Sequence, residues 1–122
     1  MMLRTDRANN ITLTQGNSAE IGFVPRYTDG DPVIPAEGDK CIFTMKCRCK
    51  EVLRKELDYR NYEEESGEIV MVLEPEDTAL LPPDSYVYDC LYEFADGSRY
   101  TFIPKAVFRI DEAITKVGDG DE

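Results

Sequence analysis

Apolar and polar residues alternate along most of this chain, which is the pattern of β-strands with one buried face. The longest alternating run covers residues 86–94. It lies between a loop rich in proline and acid, 74–85, and a hairpin signal at Asp96 and Gly97. This run is therefore expected to be the strand around which the other strands are arranged.

Seven further segments are predicted to be strands on the same grounds. They are residues 11–14, 18–27, 40–50, 52–57, 68–73, 99–103 and 106–110. Proline cannot donate a ladder hydrogen bond, so Pro25 should bend its strand or place it at an edge, and Pro104 should separate the last two strands. The segment 51–57 also fits one helical turn, but it is short and has no cap signal, so a strand paired across a tight turn is preferred.

The even spacing of seven to eight short strands, with no convincing helix, predicts an all-β fold of the β-sandwich type. A length of 122 residues corresponds to about one domain. The predicted organisation is a flexible lead-in at 1–10, one sandwich domain at 11–113 and an acidic tail at 114–122. A core of this size needs no disulfide or metal for stability.

The charge balance adds to this picture, because 25 acids against 14 bases give a net charge of −11. Binding to nucleic acid or to an anionic membrane requires a basic face, so neither partner is expected. No apolar run approaches the roughly 18 residues that span a bilayer. The first ten residues lack the apolar core of a secretory signal, which predicts synthesis in a cytoplasm.

The four cysteines are Cys41, Cys47, Cys49 and Cys90, and they are expected to be reduced thiols. Two thiols in a C-x-C pair on a strand would lie about 6.6 to 6.8 Å apart, which is too far for an unstrained disulfide. Small buried apolar residues are the preferred interpretation. Histidine is absent, and the acidic segments 29–32 and 119–122 do not fit a calcium loop. No metal or other cofactor is predicted.

Catalytic signatures do not emerge from the sequence. Ser66 and Ser98 lie in predicted turns, with no histidine to activate either hydroxyl and no G-x-S-x-G motif. Carboxylates are numerous, but the spacing singles out no acid–base pair. The chain is therefore predicted not to be an enzyme.

Four residues are nevertheless candidates for a particular role. Asp89 is the one aspartate inside a predicted strand, and it is expected to be half-buried and to tie off a loop or sheet edge. Tyr86 is the candidate for a structural corner, in which the hydroxyl returns to a loop carbonyl. Tyr59 and Tyr62 lie in the polar loop 58–67 and are the candidates for contact with a partner.

Several motifs follow one another as in small phage and prophage proteins of Gram-positive bacteria. The segment 13–19, LTQGNSA, resembles their L-T-x-G-D-T-A opening, and 29–33, DGDPV, resembles their D-G-x-P turn. FTMK at 43–46 is similar to F-T-V-K, and 75–89, PEDTALLPPDSYVYD, is similar to P-x-D-T-x-x-L-x-x-G-x-Y-x-Y-D-I. Residues Asp96, Gly97, Tyr100, Thr101 and Phe108 complete the set.

The resemblance covers nearly the whole chain, with departures at a few positions. Asn17 and Ser18 replace an acid and a threonine, Asp84 replaces a glycine, and Cys90 replaces a branched aliphatic residue. The family resembles the N-terminal domain of phage baseplate upper proteins, which implies an immunoglobulin-like antiparallel sandwich.

The function implied by the resemblance is structural. The chain would be a prophage-encoded tail or baseplate module that contacts other tail or baseplate proteins, as a homo-oligomer in a symmetric assembly. It would be made in the bacterial cytoplasm and located in the virion. The alternative is an immunoglobulin-like module that binds carbohydrate or protein at a cell surface, with Tyr59 or Tyr62 as the aromatic platform.

Overall fold

The computed structural model describes residues 3–4 and 10–115, and the regular structure in this part of the chain is almost entirely β. The strands are β1 (Leu3–Arg4), β2 (Ile11–Thr14), β3 (Ala19–Phe23), β4 (Arg26–Tyr27), β5 (Lys40–Cys47), β6 (Lys50–Leu57), β7 (Tyr62–Glu63), β8 (Glu68–Leu73), β9 (Asp84–Glu93) and β10 (Arg99–Asp111). The helical pieces are a 3₁₀ turn, Tyr59–Asn61, and a single α-helical turn, α1 (Pro75–Thr78). Neither has the length and apolar character that crossing a bilayer requires, and no other helix is described.

The strands form two main sheets and one short ribbon. The larger sheet has five strands in the order β2-β10-β9-β5-β6, and the smaller has three in the order β3-β8-β7. The ribbon pairs β1 with β4. Strand β2 runs parallel to β10, whereas the remaining pairs in the five-stranded sheet are antiparallel. The all-β prediction is therefore confirmed, and β9 is the middle strand of the larger sheet.

One hydrophobic core receives side chains from the inner faces of both sheets. Phe23 of β3 packs against Phe43 of β5 and Phe102 of β10, with ring centroids 6.5 and 6.3 Å apart. Phe43 also contacts Tyr88, at 5.0 Å. Aromatic pairs at these distances add to the stabilisation that comes from burial alone. The core thus fixes the two sheets against each other.

The strand predictions are accurate where alternation is regular and fail at the ends of strands. Residues 11–14 and 68–73 form β2 and β8 as predicted, and 52–57 lies in β6, which pairs with β5 across a tight turn. The predicted strand 40–50 is too long. It ends at Cys47 because Arg48 takes a φ of 61° and forms the turn with Cys49.

The two prolines behave differently. The predicted bend at Pro25 is confirmed, since the segment 18–27 divides into β3 and β4 there. Pro104 does not separate two strands. It lies within β10 at a bulge, where Pro104 and Lys105 together stand opposite the single residue Asp89. A bulge tolerates proline because it interrupts the ladder of hydrogen bonds.

Two short helical turns contradict the predictions of loop structure. The loop predicted at 58–67 contains the 3₁₀ turn. The cap residue before it is Asp58, whose carboxylate accepts from the backbone N–H of Arg60 at 3.0 Å. The loop predicted at 74–85 contains α1, where the N–H of Glu74 donates to Asp77 Oδ2 at 2.8 Å. Both turns are stabilised by caps, which apolar periodicity does not report.

The predicted terminal segments fall largely outside the described residues. Of the lead-in at 1–10, Leu3–Arg4 forms β1 and pairs with Arg26–Tyr27, so at least this part takes regular structure. Of the tail at 114–122, only residues 114–115 are described. The strands from β2 to β10 span 11–111, within the limits predicted for the single domain.

Candidate functional site

The candidate site is a pocket on the outer surface of the five-stranded sheet, centred on Asp89. In β9 the side chains of Tyr86, Tyr88, Cys90 and Tyr92 are buried in the core. Because successive side chains of a strand point to opposite faces, Asp89 points outward from the middle of this strand. Its strand neighbours β5 and β10 supply the walls on either side.

The pocket has a volume of about 110 Å³ and a mixed lining. It is lined by Thr44, Lys46, Val87, Tyr88, Asp89, Pro104 and Lys105. The bulge in β10 shapes one wall, since two residues there occupy the space opposite Asp89. The result is a shallow depression with a carboxylate at its centre and ammonium groups at its rim.

The electrostatics of the pocket are set by partial burial. Desolvation raises the pKa of the Asp89 carboxyl, and the positive charge of Lys46 opposes this effect. The Asp89 side chain makes no hydrogen bond or ion pair with the residues that the structure describes. Among these residues, its carboxylate oxygens remain open as hydrogen-bond acceptors.

The role expected for Asp89, an acid that ties off a loop or sheet edge, stays a prediction. Asp39, which is 6% exposed, does fix a loop. Its carboxylate accepts from the Tyr92 hydroxyl at 2.7 Å, the Ala95 N–H at 2.9 Å and the Ala36 N–H at 3.2 Å. Local sequence patterns do not single out this residue, because two of its three partners, Tyr92 and Ala95, lie more than fifty positions away in the chain.

Gly38, the residue before Asp39, takes part in the same contact between loops. Gly38 has a φ of 96°, and a Cβ at this position would lie 2.9 Å from the Cβ of Ala95. The loop before β5 therefore packs closely against the turn between β9 and β10. A glycine next to an acid before an apolar strand is the only local hint of this contact.

Tyr86 lies at the start of β9, and its hydroxyl donates to the carbonyl oxygen of Pro82 at 2.5 Å. This is the geometry of a tyrosine corner. The same loop is held from its other side, where the buried hydroxyl of Thr78 accepts from the Gly16 N–H at 2.9 Å. Gln15 Nε2 donates to the Leu81 carbonyl at 2.7 Å. The loop is thus fixed at both ends.

The structure separates the two tyrosines that the sequence groups as partner contacts. Tyr59 lies in the 3₁₀ turn and is 42% exposed. Tyr62 lies in β7, pairs with Ile69 and packs against the core. Tyr62 is therefore committed to packing, and Tyr59 is the member of this pair that presents its ring to solvent.

The four cysteines also divide into buried and more exposed residues. Cys41 and Cys90 are fully buried, and burial raises the pKa of both thiols. Cys47 is half-buried, and Cys49 is exposed in the turn rather than on the inner face of a strand. All four are free thiols, and no group of metal-ligating side chains occurs within residues 10–115.

Comparison with known proteins does not assign the chain to a family: no protein-family model matches it, and no curated protein matches it.

Proposed function

We propose that this chain is a non-enzymatic structural module, an immunoglobulin-like β-sandwich of a phage or prophage tail or baseplate that acts through protein–protein contacts. One observation carries the proposal. The polar side chains buried in the fold are engaged in fixing loops, as Asp39, Thr78 and Tyr86 show. Such bonds give a rigid body with defined surfaces, which is what a component of an assembly requires.

The order of strands supports the immunoglobulin-like part of the proposal. In that fold, strands A, B, E and D form one sheet, and strands C, F and G form the other, with C′ added to the second sheet in the variable type. The strands β3-β8-β7 correspond to B, E and D, and β10-β9-β5-β6 correspond to G, F, C and C′, whereas β2 pairs with β10 and not with β3. The Tyr86 corner at the start of β9 corresponds to the corner at the start of strand F.

The phage role is supported by the resemblance of the motif order to small phage and prophage proteins. The expected partners are other tail or baseplate proteins. The protein would be synthesised in the bacterial cytoplasm and carried in the assembled virion. The outer surface around the Asp89 pocket offers a docking area, with half-exposed Val107 beside it.

Purified particles provide the test. A host that encodes this chain is induced, particles are isolated on a density gradient, and the chain is quantified across the fractions by immunoblot. We expect it to peak with the major capsid protein, while an abundant cytosolic host protein stays at the top of the gradient. Particles that contain none of the chain would overturn the proposal.

A second candidate function is binding of carbohydrate at a cell surface, and one observation favours it. The exposed ring of Tyr59 lies between Asp58 and Arg60, whose side chains pair at 2.7 Å. An aromatic face beside polar groups is a common platform for sugars. Binding on a glycan array that is lost in Tyr59→Ala and kept in Tyr62→Phe would establish this function in place of the structural one.

A further inference from the structure

The outer surface of the three-stranded sheet is uniformly acidic. Every charged residue in β3, β7 and β8 is a glutamate, namely Glu20, Glu63 and Glu68. Ile69 and Met71 are buried, so the alternate positions of β8 point away from the core. We call this surface, formed by Glu20, Glu63, Glu68, Val70 and Val72, the glutamate face.

Like charges meet directly on the glutamate face. Glu63 and Glu68 are paired across adjacent strands, and like charges in that position repel each other. The Glu68 side chain also lies over Gly22, so that a Cβ there would overlap its carboxylate. Val72, opposite Glu20, is 44% exposed. The repulsion would be relieved by a cationic surface placed against this face.

The outer surface of the five-stranded sheet carries such cations. The charged residues of β5 are two lysines, Lys40 and Lys46, and the β10 bulge adds Lys105. Within residues 10–115 these three lysines form no ion pair. We call the surface formed by Thr44, Lys46, Val87, Asp89, Lys105 and Val107 the lysine face, in which two lysines stand on either side of the Asp89 carboxylate.

The other cations on this surface are already neutralised. Arg99 pairs with Glu93 at 2.8 Å, Arg109 with Asp111 at 2.8 Å, and Arg54 with Glu56 at 3.0 Å. Lysines without an ion pair stand out in a chain whose net charge is −11. Val107 is 40% exposed, so each face combines a half-exposed valine with an excess of one sign of charge, three glutamates on one face and two lysines beside one aspartate on the other.

We propose that the glutamate face of one copy docks on the lysine face of a second copy. The two faces are the opposite outer surfaces of sheets that share one core, so each copy carries both halves of the contact. Such a contact is heterologous and leaves one face of each kind free, which produces a ring or a filament. The proposal deepens the structural function proposed above by naming the surfaces that assemble.

Sedimentation velocity on the purified full chain tests the docking. We expect the average mass to rise with protein concentration in about 0.02 M salt and to return to that of one chain in about 0.5 M salt, because salt screens exposed charges. A chain that is monomeric at every concentration in low salt overturns the proposal.

Two neutralising variants identify the faces. The double variant Lys46→Gln and Lys105→Gln removes the positive charges of the lysine face. The double variant Glu20→Gln and Glu63→Gln removes two of the three negative charges of the glutamate face. Each should weaken self-association by about tenfold or more, since complementary charges are lost from the contact. Circular dichroism confirms that the variants are folded. The matched controls are Lys50→Gln and Glu76→Gln, which change exposed residues outside both faces and should associate as the wild type does.

A mixture of the two double variants gives the sharpest readout. Each variant keeps the face that the other has lost, so the mixture should form a one-to-one dimer that does not grow. Self-association that survives in both variants, or a mixture that stays monomeric, overturns the proposal. A monomeric chain that is nevertheless found in particles would overturn the docking alone and leave the proposed function in place.

Discussion

At the residue scale, Asp39 connects the loop before β5 to the end of β9 and the turn that follows it. In Asp39→Ala, the Tyr92 hydroxyl and the N–H groups of Ala95 and Ala36 lose their acceptor. Leaving a buried donor unsatisfied costs about 1–3 kcal/mol, so the loss at Tyr92 and Ala95 together should lower the free energy of unfolding by about 2–6 kcal/mol. Urea denaturation followed by circular dichroism measures this loss.

Tyr92→Phe is the matched control for this prediction. It removes the hydroxyl at 2.7 Å but leaves Asp39 with its two backbone donors. The expected loss is therefore only about 1 kcal/mol, the net contribution of one hydrogen bond. If Asp39→Ala were no more destabilising than Tyr92→Phe, the connecting role of the carboxylate would be refuted.

A second prediction at this scale concerns the corner residue Tyr86. Tyr86→Phe keeps the packing of the ring and removes the hydrogen bond to Pro82, so the free energy of unfolding should fall by about 0.5–1.5 kcal/mol. The same change at exposed Tyr59 should have an effect within about 0.5 kcal/mol. Equal effects at both positions, measured by urea denaturation, would argue against a structural corner.

At the scale of elements, the edge strand β6 carries a charge on its inner face. Lys55 stands opposite Phe43, whose side chain is in the core, and its ammonium group pairs with Asp77 of α1 at 2.8 Å. An inward-pointing charge protects an edge strand from pairing with another chain. The same ion pair attaches the loop that contains α1 to the five-stranded sheet.

A double-mutant cycle of Lys55→Ala and Asp77→Ala measures this attachment. Both side chains are largely buried, so we expect a coupling free energy of about 1 kcal/mol or more from urea denaturation. The exposed pair Arg54 and Glu56 is the control, and its coupling should be close to zero. A coupling that is equally small for both pairs would show that Lys55 does not hold the loop.

The elements also show what the sequence can and cannot predict. Alternation is a local property, so β2, β8 and β9 were predictable from their own residues. The end of β5 depends on the left-handed conformation of Arg48, and the bulge at Pro104 depends on the register with β9. Neither produces a pattern in the sequence.

The candidate site is likewise only partly predictable from the sequence. The outward position of Asp89 follows from alternation, because its neighbours in β9 are apolar at every second residue. The pocket around it does not, because Lys105 and Thr44 reach it from two other strands. The bond between Asp39 and Tyr92 joins a loop to a strand far along the chain, and its only local hint is the glycine that precedes Asp39.

At the scale of the whole molecule, the core holds protons that the unfolded chain would release. Burial raises the pKa of Cys41 from its ordinary value of 9.0 to about 12, and it also raises the pKa of Cys90, Tyr88 and Tyr92. The stabilisation is complete below the ordinary values of these groups. It is lost as the pH rises towards the folded-state values, because the unfolded chain then loses protons first.

Urea denaturation between pH 7 and pH 11 therefore should show a free energy of unfolding that declines above about pH 9. Each buried group that ionises only in the unfolded chain contributes a slope of about 1.4 kcal/mol per pH unit. Cys41→Ala should lower stability at pH 7 through the lost packing, yet its slope above pH 9 should be shallower than that of the wild type. The control Cys49→Ala, which removes an exposed thiol at the turn, should follow the wild-type slope. Parallel slopes for Cys41→Ala and the wild type would mean that this thiol ionises equally readily in the folded and the unfolded chain. The loss of stability at alkaline pH would then have to come from the buried tyrosines and Cys90.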